Sequence, residues 1–121
     1  MGLEMYAFTT PEKFAKPTDF HAVNATEFYY WAKHPNLHGW MHELYRSKGG
    51  ADPEFNLAEV ELTLDDLERL DNEIRGGLLP ETRGFFFGIS CGDEVEDDLD
   101  FIAAARAAIE AGLTVYYTSW W

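Results

Sequence analysis

The chain has little positive charge, one cysteine and no long apolar run. Nine Lys and Arg stand against 22 Asp and Glu, a formal net charge of −13 over 121 residues. Phosphate contacts need Lys and Arg, so direct binding to nucleic acid is not expected. The single Cys excludes an internal disulfide and fits a reducing compartment. No apolar stretch is long enough for a membrane span. The opening MGLEMYAF lacks the basic region and apolar stretch of a signal peptide. A cytoplasmic protein is the expectation. A phosphate loop is missing too: Gly84-Phe85-Phe86-Phe87-Gly88 has bulky rings where backbone must approach a phosphate.

What is present is apolar and aromatic material, 46% and 16% of the residues, which argues against disorder and for one domain over 1–121. Residues 2–9 alternate Leu3, Met5 and Ala7 against Glu4, Tyr6 and Phe8, the period of a strand. A loop covers 10–23. Asn24 with Glu27 resembles a capping box and predicts a helix from Ala25 to about Lys33. Pro35 suits the first position of a second helix, which stops at Gly49-Gly50.

A second strand is expected over Phe55–Leu62, with a bulge between Leu57 and Val60. Thr63 with Asp66 caps a third helix, whose buried stripe is Leu64, Leu67, Leu70 and Ile74. Gly84–Ile89 reads as a buried strand and 90–98 as a carboxylate-rich loop. Leu99, Ile102, Ala105 and Ile109 mark a fourth helix, and Leu113–Trp120 the last strand. The order is β-α-α-β-α-β-α-β. It predicts a single α+β (or α/β) domain with a mixed sheet of about four strands and helices packed on it. The last two strands would flank a right-handed parallel crossover.

Chemistry is densest in Glu27–Gly50. Leu37, Trp40, Met41, Leu44 and Tyr45 form one apolar helix face, with His38, His42 and Arg46 in a row beside it. Arg83 is a further candidate anion ligand, and Tyr117 and Trp120 could stack on a flat ligand. The plain alternatives are a solvated helix side, a surface Arg paired with a carboxylate, and aromatic core. Metal binding by His34, His38 and His42 is not expected. Pro35 displaces His34 from the helix, and Gly39 stands where a metalloprotease has Glu. The acidic run Asp65, Asp66 and Glu68 reads as a helix-start device. Cys91 lies among carboxylates that raise a thiol's pKa, and Gly88-Ile89-Ser90-Cys91-Gly92 matches a nucleophile elbow only by letters. No His follows residue 42, so no catalytic residue is assigned, nor any cofactor.

Taken together, MGLEMYAF, YYWAKHPNLHGWM, ELTLDDLERL, GFFFG and VYYTSWW resemble a family of small bacterial and phage-borne proteins. Its members usually carry Arg where this chain has Ala32, so a basic contact is missing here. Some go under the name phosphoglycerate kinase, but 121 residues are far too few for that two-domain enzyme. The phage association implies, by analogy, a protein that disarms a host defence.

Three functions are carried forward. The leading one is a non-enzymatic binding protein that sequesters a small anionic, nucleotide-like ligand. Trp40, Tyr45, Tyr117 and Trp120 would stack on it, and His38, His42, Arg46 and Arg83 would meet its charge. The second is an acidic, DNA-mimic-like inhibitor of a basic host protein, acting through residues 93–100. The third is a small phosphoester-acting enzyme with His38 or His42 as general base. The wealth of Trp and Tyr leaves room for a homodimer.

Overall fold

A computed structural model describes residues 3–32, 34–80 and 95–121. Among them the elements are β1 (Glu4–Thr10), β2 (Thr26–Ala32), α1 (Pro35–Ser47), β3 (Val60–Leu62), α2 (Leu64–Arg75), α3 (Val95–Glu110) and β4 (Thr114–Trp120). The strands form one antiparallel sheet in the order β2-β1-β4-β3. This is the single α+β domain read from the sequence, with every described strand pair antiparallel where a mixed sheet was expected. The strand expected over Gly84–Ile89, its parallel crossover, and the Ser90 and Cys91 positions lie outside the described residues.

The stretch expected to be the first helix is β2. Thr26, Phe28, Tyr29, Tyr30 and Trp31 all favour strand, and tertiary pairing with β1 outweighs the capping-box pattern of Asn24 and Glu27. The register of β1 on β2 shifts between Ala7 and Phe8, where Ala7 pairs with Tyr29 but Phe8 pairs with Glu27. Phe28 is the extra residue. This bulge lets both Phe28 and Tyr29 reach Phe101 of α3, with ring centroids 5.7 and 5.5 Å away. It also broke the alternation that would have announced a strand.

Two further corrections are local. Regular pairing of the second expected strand is confined to Val60–Leu62, because Phe55 and Leu57 take positive φ angles of 51° and 59°. The outer edge of β3 is continued by residues 17–19, where Asp19 N donates to Glu59 O and Glu61 N to Pro17 O. In turn, α3 begins at Val95, inside the expected loop, so Asp98 belongs to its first turn.

Each helix has a local cause. Pro35 opens α1, and Thr63 and Asp66 cap α2 with a reciprocal box. Leu67, Leu70 and Ile74 of α2 are buried as expected, while Leu64 is 45% exposed. All three helices cover one face of the sheet. Met5, Ala7, Val115 and Tyr117 point into that face and are fully buried. Side chains of odd and even register alternate across a strand, so Glu4, Tyr6, Phe8, Tyr116, Thr118 and Trp120 lie on the other face. No helix among the described residues is long and apolar enough to cross a membrane.

Candidate functional site

The residues singled out from the sequence do not converge on one cavity. The row on α1 runs from core to solvent: His38 is 1% exposed, His42 is half-buried and Arg46 is exposed. Trp40 faces α2, where its indole Nε1 donates to Glu73 at 2.6 Å and the Arg69 guanidinium sits 5.6 Å from its ring. Tyr45 is buried, and its hydroxyl donates to Asp19 at 2.5 Å while accepting from Asp52 N at 2.8 Å. Tyr117 and Trp120 are three positions apart on β4 and so occupy opposite faces. Arg83 lies outside the described residues.

Four of these residues do meet, around a fifth that the sequence reading missed. Phe55 is fully buried, with ring centroids of Tyr45, His38, His42 and Tyr117 at 4.7, 5.2, 5.2 and 5.8 Å. It fills the space where a flat ligand between α1 and β4 would have gone. The sequence reading placed Phe55 at the start of a strand and gave it no part in the site, since a loop residue in the left-handed region carries no periodic signal. Behind it, a 2.7 Å hydrogen bond joins His38 Nδ1 to the Tyr117 hydroxyl.

Burial decides the charge in this cluster. Desolvation, and secondarily His42, pushes the His38 pKa down to about 3, and burial lowers that of His42, followed by the nearby Arg46. Burial also holds the Tyr117 phenol well above its ordinary value. Both histidines and the phenol are therefore neutral near neutral pH. The row that reads as three cations in the sequence carries one, Arg46.

A second buried polar group joins β2 to α3. Asp98, 1% exposed, accepts from Trp31 Nε1 at 3.1 Å and pairs with His34 Nε2 at 2.8 Å. Next to it Tyr29 donates to the Asp97 carbonyl at 2.7 Å. A cleft of about 500 Å³ lies alongside, with Tyr30 and His34 among its walls. Asp98 was hidden in an acidic run in which Glu96, Asp97 and Asp100 are exposed. Among the described residues, no group of three or more His, Cys, Asp or Glu side chains is placed to hold a metal ion.

The outer face of the sheet is different in kind. Its pairings lay out three rows: Ala32, Glu4 and Trp120; Tyr30, Tyr6 and Thr118; Glu27, Phe8 and Tyr116. Phe14 and Phe20 stack at 4.0 Å and cover Tyr116, the latter edge-on at 5.2 Å. The rows nearer β2 stay open, with Trp120 57% and Tyr30 46% exposed. Tyr30 donates a short hydrogen bond to Glu4, and that bond raises its pKa to about 12. Glu4 and Glu27 also raise the pKa of Tyr6, after the larger effect of desolvation. Neither carboxylate has a cationic partner among the described residues.

Comparison with known families, with curated proteins and with solved structures finds no match for this chain.

Proposed function

We propose that the protein is a non-enzymatic binding module that docks on a basic protein through the open outer face of its sheet. The observation that carries this reading is one sheet face that holds exposed Trp120 and Tyr30 together with Glu4 and Glu27, two carboxylates that have no cationic partner among the described residues. Aromatic surface supplies buried area on association, and uncompensated negative charge steers a positive partner to it. A net charge of −13 extends the attraction beyond contact range. The family resemblance makes a host defence protein the first partner to try.

A small anionic ligand between α1 and β4 is less well supported. Its two histidines are uncharged and Phe55 fills the space between the rings. A general base at His38 is less well supported for a different reason: its ring is buried, out of reach of a substrate.

Affinity capture from host extract separates these readings. Tagged wild-type protein should retain a basic protein that modest salt releases, and a Glu4→Gln/Glu27→Gln/Trp120→Ala variant should not retain it. Equal retention by both, or a small anion carried by the purified protein in native mass spectrometry, would sink the proposal.

A further inference from the structure

We infer that the outer face recognises an arginine side chain, held at Glu4 between Trp120 and Tyr30. This inference rests on the basic-partner reading above and names the group that anchors it.

Glu4 sits in the middle of a row of three strands, directly opposite Trp120 on β4 and Ala32 on β2. Directly paired residues bring their side chains within about 5 Å of one another. On one side of Glu4, then, stands an exposed indole. On the other stands the methyl group of Ala32. The next row places Tyr6 and Tyr30 beside it, with ring centroids 5.4 Å apart. Tyr30 donates to Oε2 of Glu4, which fixes the carboxylate, and among the described residues no other group donates to it, so Oε1 and the second lone pair of Oε2 are left as acceptors. Glu27 adds a second negative charge one row beyond Tyr6.

The arrangement suits guanidinium better than ammonium. A guanidinium is planar, stacks on an aromatic face and offers paired N–H donors to a carboxylate. The Trp120 indole supplies the face with the strongest attraction for a cation. An ammonium would gain the charge attraction but neither the stacking nor the two parallel hydrogen bonds. No ring contact of Trp120 is found among the described residues, and its 57% exposure leaves surface for stacking.

The test is fluorescence anisotropy with a labelled oligoarginine and a labelled oligolysine of equal length, at low ionic strength. The arginine peptide should bind about tenfold more tightly. Trp120→Ala and Glu4→Gln should each bring its affinity down to that of the lysine peptide, with thermal unfolding unchanged. Ala32→Arg places a guanidinium of the chain's own beside Glu4. It should weaken oligoarginine binding more than Ala103→Arg, the same charge change at an exposed position of α3. Equal binding of the two peptides overturns the arginine anchor and leaves the acidic module standing. So does an arginine preference that survives Trp120→Ala or Glu4→Gln, or equal effects of the two Arg variants. Failure of both peptides to bind overturns the anchor and the basic-partner reading together.

Discussion

The two faces of the sheet are built from the same residue types and used in opposite ways. The inner face carries Trp31 and Tyr117, packed on Phe101 of α3 and on the loop residue Phe55, among polar groups that are paired and dry: His38 with Tyr117, and Asp98 with Trp31 and His34. The outer face carries Tyr6, Tyr30, Phe8 and Trp120 beside Glu4 and Glu27, which have no cationic partner among the described residues. Buried polar groups cost free energy unless paired, so the inner cluster is a structural device. Exposed aromatics beside unpaired charge contribute little to folding and are available to a partner. Density of chemistry along the sequence marked the first region, while the binding proposed above falls to the second.

This contrast can be broken from the inside first. Phe55→Ala should remove about 3–5 kcal/mol of stability, because a ring in contact with four others leaves a cavity that a sheet and a helix cannot close. Urea unfolding would measure it. A loss under about 1 kcal/mol would mean the loop can retract and that Phe55 is not a core residue.

Asp98→Ala should cost about 1–3 kcal/mol for each of the two donors it accepts. The readout is the same unfolding curve, with the Trp31 environment followed by near-ultraviolet circular dichroism. An unchanged midpoint would show that the Trp31 and His34 bonds are dispensable.

A pH series sharpens the comparison. The folded pKa of His38 is about 3, below its unfolded value, so the unfolded state binds the extra proton between them. Its contribution to stability is complete above the unfolded value and falls with pH through that window, by about 1.4 kcal/mol per unit. The lowered pKa of His42 acts in the same direction. Relief of repulsion among the 22 carboxylates opposes the trend, so the readout is a difference. His38→Asn should lose less stability than wild type between pH 6.5 and pH 5; parallel curves would contradict the assignment.

The smallest effect belongs to the outer face. Trp120→Ala and Glu27→Gln should each shift stability by no more than about 0.5 kcal/mol. Binding to a basic partner should drop in the same samples. A large stability loss for Trp120→Ala would erase the distinction between the faces.

Several elements were legible from local signals. Pro35 and Gly49 bound α1, and Thr63 with Asp66 caps α2, because caps depend on residues within a turn of one another. The apolar stripe of α1 is buried throughout, as its spacing requires. The same locality misled at 25–33, where Asn24 and Glu27 look like a cap but Phe28 to Trp31 pair with β1. For the site, His38 and His42 were read as meeting a ligand's charge, and Tyr45 and Tyr117 as stacking on its flat group. That all four pack around Phe55 of the chain itself was not legible, because Phe55 reaches them from a distant loop.

The sequence by itself determined an acidic, aromatic, single α+β domain and most of its helix ends, since composition and nearest-turn chemistry are written in order along the chain. Only the tertiary structure decided which aromatic side chains are dry and which are open. Tyr117 and Trp120 show why: three residues apart on one strand, they belong to opposite faces, and the helices cover only one. Charge followed the same rule, because His38 is a cation or a neutral ring according to what packs around it, not according to its neighbours in sequence.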